Sequence, residues 1–172
     1  MDTRMKNELA EAVRDFRLPR YEQLPDMGLY LEQTTKYINQ TLEKLGCIEV
    51  TGSMIRNYVK MGLVNNPDKK QYHRDQIAHL FTIAILKSVL PLEDINRFYT
   101  FQRKVYTDQV AYDYFCMEME NILHARFGVS DGLKDIGITN TREKEMLRSA
   151  ITAVSHLIYI KACLNWLEKN KE

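Results

Sequence analysis

Residues 51 to 79, TGSMIRNYVKMGLVNNPDKKQYHRDQIAH, leave this chain few ways to fold. Thr51 is a good N-cap, because its hydroxyl can accept a hydrogen bond from a free backbone N–H at a helix start. Met54, Ile55, Tyr58 and Val59 then recur at helical spacing and form one apolar face. Arg56, Asn57 and Lys60 fall on the other side, and Gly62 supplies the stop. Asn65, Asn66, Pro67 and Asp68 make a dense turn signal, followed at once by Lys69 and Lys70 and then by a second, more apolar helix. Between 51 and 74 five bases (Arg56, Lys60, Lys69, Lys70, Arg74) face one acid, Asp68, a local charge of +4. The whole chain carries only +1, so the remainder sums to −3 and the positive charge is concentrated here.

A basic helix followed by a basic turn is the pattern of a nucleic-acid reader. A helix in the major groove needs long polar donors on its exposed side, with cations around them to grip phosphate. Arg56 suits a phosphate or a guanine edge, Asn57 an adenine edge and Lys60 a phosphate. Thr51 and Ser53 offer hydroxyls to phosphate, and Lys69, Lys70 and Arg74 add cations around the turn. Tyr58 has two readings, a backbone contact or core packing.

At these residues the sequence resembles the DNA-binding head of the MerR family of bacterial transcription regulators. The matching run is Ile55, Arg56, Tyr58, Gly62, Leu63 and Val64, with a wing that closes at Tyr72. Pro91-Leu92-Glu93-Asp94-Ile95 resembles that family's next helix start. The layout is also similar to an uncharacterised bacterial family, a domain of unknown function with a MerR-like head, through the LPRY-x-x-LPD-x-GLY segment from Leu18 to Tyr30. Three features depart from MerR heads. The wing is shorter, Lys69 and Ser53 stand where tyrosine and arginine are usual, and residues 1 to 26 precede the first head helix. The resemblance implies a winged helix-turn-helix that binds double-stranded DNA, without carrying over the operator geometry.

The rest of the chain reads as helix. At 172 residues, with 45% hydrophobic and 27% charged side chains, it is one domain or two small ones sharing a core. A helix over 4–15 places Leu9, Val13 and Phe16 on one stripe, and Pro19 and Pro25 then hold an extended linker. Asp26 stands ahead of a helix over 28–45, with Leu31, Thr35, Ile38 and Leu42 inward and Gly46 at its end. A strong helix spans 74–90, and another begins near Pro91 and either bends or runs on to about 127. Tyr112, Phe115, Cys116, Met119, Ile122 and Leu123 form its apolar stripe. Its acids Asp108, Asp113, Glu118 and Glu120 read as a solvated face or, more sharply, as a patch for a partner. After a glycine-bearing loop with Asn140 and Glu143 at capping spacing, the last helix spans 141–169 and is apolar almost all round from Ile151 to Leu167.

The expected architecture is therefore mainly α. Residues 1–26 form a helix and linker, 27–98 a winged helix-turn-helix head, and 99–172 a helical dimerisation region with two long helices. One short recognition helix reads few base pairs, so the expected regulator works as a homodimer. The last helix, shared with the 112–123 stripe, is the expected dimer surface. The polar N-terminus and the lack of an eighteen-residue apolar run argue for the cytoplasm and against a membrane.

Cys47, Cys116 and Cys163 are widely spaced, without a C-x-x-C pair, and read as buried hydrophobes. His73, His79, His124 and His156 show no metal-ligand spacing, and the common hydrolase and nucleotide signatures are missing. An enzyme, a cofactor or a metal is not expected. The aromatics from Phe98 to Phe115 suit core packing or a small-molecule effector pocket. The other functional class open to this pattern is a protein-interaction module derived from a helix-turn-helix, without DNA binding.

Overall fold

A helix with almost no solvent-facing side sets the architecture. In the computed structural model, which describes residues 2–137 and 139–170, α4 (Arg74–Leu86) buries every residue from Gln76 to Leu86. Its sequence explains this, since only Gln76, His79 and Thr82 are polar in that run. Each has a partner. Gln76 donates to the carbonyls of Asn65 and Asn66, His79 lies 3.3 Å from the Asp108 carboxylate, and Thr82 donates to the Ala78 carbonyl. Full burial of each aliphatic or aromatic side chain along it stabilises the fold by about 1.5–3 kcal/mol.

Six more helices wrap it: α1 (Thr3–Val13), α2 (Leu31–Leu42), α3 (Gly52–Lys60), α5 (Leu92–Gln102), α6 (Asp108–Phe127) and α7 (Arg142–Asn170). Two short strands, β1 (Leu29–Tyr30) and β2 (Gln71–Tyr72), pair antiparallel with Leu29 opposite Tyr72 and Tyr30 opposite Gln71. α4 packs on α2, α5, α6 and α7, while α1 lies across α6 and α7. One hydrophobic cluster runs from Met5 to Trp166, so the three segments expected from sequence share a single core.

Local chemistry sets the boundaries. The Asp2 carboxylate caps α1 through the Arg4 N–H, and the Thr107 hydroxyl caps α6 through Val110. That cap starts a new helix after a break at 103–107, so α5 bends into α6 rather than running on. Thr141, not Asn140, caps α7, its hydroxyl accepting from the Lys144 N–H at 3.4 Å. The helix expected from residue 28 starts three residues later. Gly28 sits so close to β2 that a Cβ there would lie 2.6 Å from the Gln71 Cβ, and the chain stays extended through β1 to make that approach. As a result Thr34, not Thr35, faces the core. The helix expected over 74–90 ends at Leu86, where the Ser88 hydroxyl takes the Ile85 carbonyl.

The linker is a strap laid across α6, and it holds two of that helix's four acids and its cysteine. Leu18 N–H donates to Glu120, Tyr21 N–H donates to Asp113, and the Cys116 thiol faces the Pro19 carbonyl. Arg20 meets Glu120 through both guanidinium nitrogens. Glu118 is fully buried, accepting from the Tyr114 hydroxyl and facing Arg148, and Asp108 faces His79 and Arg103. These acids are thus neither a solvated face nor a partner patch. They hold the chain to itself.

Candidate nucleic-acid interface

The α2–α3 pair is built from the inside out. Asn39, near the end of α2, donates to the Val50 carbonyl and accepts from the Val50 N–H, both at 2.9 Å. This two-way clamp fixes the extended residues just before α3. The Thr51 hydroxyl then accepts from the Met54 N–H at 3.2 Å, capping α3 as its sequence requires. Gly52 lets the start of α3 approach Leu31, whose Cδ2 would lie 3.2 Å from a Cβ there.

Two side chains anchor α3 beneath. Ile55 is 0% and Tyr58 2% exposed, and the Tyr58 hydroxyl has no hydrogen-bond partner among the described residues. Between the two readings of Tyr58, the structure selects core packing. At the other end Gly62 takes φ +75°, its N–H reaches Val59 O, and Leu63 N–H reaches Tyr58 O. That is a Schellman closure, and it drives Leu63 and Val64 back into the core.

With those residues turned inward, Thr51, Ser53, Arg56, Asn57 and Lys60 are all exposed. Arg56 reaches back to the Ser53 hydroxyl at 3.4 Å, and Asn57 contacts the Met61 sulfur. Arg56 is also close enough to Tyr72 on β2 to oppose the upward push that burial gives that phenol's pKa. The exposed side of α3 therefore borders the strand that ends the following loop.

That loop, 65–72, is held at its base and strained at its tip. The Gln76 amide grips its first two carbonyls, and Gln71 N–H closes on Asp68 O at 2.8 Å. Between them Lys69 has φ +48° and Lys70 φ +67°. Positive φ at both central positions is the type I′ pattern, which normally takes Asn and Gly. For lysine each costs roughly 1 kcal/mol. The return strand makes a single bridge to the loop's own outgoing arm, Asp68 to Gln71, and pairs over both its residues with β1, ahead of α2. This ties the loop tip to the start of the α2–α3 pair.

The basic residues separate into two groups. Arg56, Lys60, Lys69 and Lys70 make no ion pair among the described residues. Arg74 is different, with its guanidinium 3.1 Å from Glu22, 3.5 Å from Asp26 and over the Tyr21 ring. Its charge is spent on the strap, which also bonds to α4 through the Tyr21 hydroxyl and Asp75. His73 stands at the N-cap of α4. Among the described residues no group of three or more His, Cys, Asp or Glu side chains is placed to share a metal ion.

The family model for a domain of unknown function, DUF1836, matches residues 19–119, from the strap through most of α6. The chain belongs to the DUF1836 family. No curated protein and no solved structure matches it. The DUF1836 region thus contains the whole α2–α3 pair, its loop and the buried α4, while α1 and α7 lie outside it.

Sequence reasoning missed two parts of this surface. β1 left no trace, since two residues are too short for an alternating pattern. Gln76 looked like an ordinary helix residue, although its position three after His73 fits the N-terminal bond it makes with the His73 N–H.

Proposed function

We propose that this DUF1836 protein is a transcription regulator that binds double-stranded DNA sequence-specifically, as a MerR-like winged helix-turn-helix. In this reading α3 enters the major groove with Arg56 and Asn57 toward base edges. Thr51, Ser53 and Lys60 meet phosphates, and loop 65–72 is the wing, gripping the backbone with Lys69 and Lys70. Arg74 orients the strap and head and leaves the DNA to the four unpaired cations.

One observation carries the proposal. Four cations with no ion-pair partner among the described residues occupy α3 and the loop beside it, two of them in a backbone conformation that lysine adopts at a cost. A conformation that costs the free protein energy persists where it serves a task.

We further propose that it acts as a homodimer through α7. Met146, Ala150, Ala153, Leu157, Ile160, Leu164 and Leu167 alternate at four- and three-residue steps, a heptad seam of roughly 30 Å. Met146, Ile160 and Leu164 are 45%, 55% and 54% exposed, while Ala150 and Leu167 at the seam's edge are partly buried against the core and the fully buried residues of α7 lie on the far side. The 112–123 stripe, expected to share this surface, is excluded from it. All six of its residues are buried against α1, α4 and α7.

The test is duplex-DNA binding across a salt series, for the wild type and Lys69→Ala/Lys70→Ala. Log affinity should fall with log salt by about 0.9 per phosphate neutralised, and the variant's slope should be shallower by about 1.8. If the folded protein has no affinity for duplex even at low salt, the DNA reading is wrong. The module would then be a protein-interaction scaffold, and an acidic partner the next search.

A further inference from the structure

One apolar recess lies away from α3 and its loop. It is a cleft of about 170 Å³ where α5, α6 and α7 meet, lined by Phe98, Gln102, Tyr106, Ala111, Tyr114 and Leu147 among others, with Val110 and Met117 on the rim. Its size is close to that of apolar cavities of roughly 150 Å³ that take up a small aromatic, and its apolar walls carry a few placed polar groups, as small-molecule sites do.

The polar group here is Gln102. The residue is 9% exposed, yet its side-chain amide makes no hydrogen bond to the protein among the described residues. Its neighbours do not behave this way. The Tyr106 hydroxyl bonds Thr141, and the Tyr114 hydroxyl donates to the buried Glu118. The amide is not sealed from solvent, so in the free protein it bonds water, which a ligand's own donor and acceptor can replace. Gln102 also lines a smaller void next to Thr82, Ala111 and Tyr112.

Charge at the mouth narrows the ligand class. Glu143 and Lys144 stand there together and offset each other. The Lys144 ammonium is further occupied, 3.1 Å from the Thr139 carbonyl and over the Tyr114 ring. Nothing selects a charged ligand. The walls offer three aromatic rings, and Gln102 offers one donor and one acceptor side by side.

We propose that this cleft binds a neutral, planar aromatic small molecule bearing an amide or lactam, whose donor and acceptor complete the hydrogen bonds of Gln102. The site is remote from α3, and the inference does not depend on the DNA reading.

The probe is 2-naphthamide, with 2-methylnaphthalene and 2-naphthoate as controls, titrated into protein carrying ¹³C-methyl labels on alanine and methionine. The Ala111 and Met117 methyl signals should shift saturably with 2-naphthamide, which should bind roughly tenfold more tightly than either control. In Gln102→Leu the amide should lose that advantage and 2-methylnaphthalene should bind as before. No internal bond is lost in this variant, so it should stay folded. Val110→Trp, placed on the exposed rim, should weaken all three. Methyl signals that stay put up to the solubility limit overturn the proposal, as does an amide preference that survives Gln102→Leu.

Discussion

Arg20 and Glu120, 100 residues apart in sequence, face each other through two hydrogen bonds of 2.7 and 2.8 Å. The pair is the fork-to-fork geometry that gives arginine and carboxylate their strongest contact. Glu120 also accepts from the Leu18 N–H, and the Glu120 carboxylate beside Arg20 raises the guanidinium's pKa above its already high value. Arg20→Ala should therefore lower stability by about 2 kcal/mol. That is below the cost of breaking a fully buried pair, because the Arg20 side chain is 33% exposed. Urea unfolding checks it, with a lower midpoint and an unchanged slope expected.

Acid should loosen the contact between α4 and α6. The His79 imidazole beside Asp108, with Arg103 further out, holds the Asp108 carboxyl below its ordinary value of 3.8. A carboxyl whose folded pKa is depressed adds stability that is complete above the unfolded value and fades as the pH falls through the folded one. Asp108→Asn should thus be less stable than wild type at pH 6, and the gap should close below about pH 3.8. Parallel urea titrations over that range give the answer, and a gap independent of pH would refute it.

The loop tip sets stability against the proposed binding. Lys69→Asn/Lys70→Gly supplies the residues that a type I′ turn prefers, and should raise stability by about 1 kcal/mol while removing two cations. The same protein should show a higher Tm and a DNA salt slope shallower by about 1.8. A variant no more stable than wild type would mean that the lysine conformations carry no strain.

Oligomeric state can be separated from folding on α7. Ile160→Glu/Leu164→Glu changes two side chains that are more than half exposed, so the fold should lose no more than about 0.5 kcal/mol per site. Sedimentation velocity should show a dimer for wild type and a monomer for the variant. A wild type that is monomeric at every concentration would end the seam reading.

Much of the helical layout was legible because periodicity is a strong signal over long segments. The α6 stripe from Tyr112 to Leu123 is buried residue for residue, and Gly46, Gly62 and Gly128 all end helices in the left-handed conformation. What stayed hidden depends on distant partners. Glu120 and Asp113 read as surface acids because Leu18, Arg20 and Tyr21 are about a hundred positions away. Arg74 read as a DNA contact for the same reason, since Glu22 and Asp26 belong to a segment with no periodicity of its own. Gln102 had no local mark at all, because an unmet amide is a property of its surroundings.

The strap also dictates an order of assembly. α1 and residues 17–26 emerge from synthesis first, but Leu18 bonds to Glu120 and Glu8 to Trp166, 102 and 158 positions downstream. At about 5–20 residues per second the strap waits roughly 5–20 s for α6 to exist. Until then Phe16, Leu18 and Leu24, each at most 2% exposed in the finished fold, have nothing to cover them. Closing so long a loop makes docking of the first segment a late and slow event. The nascent chain thus offers chaperones its α1 and strap segment until α6 and α7 are made.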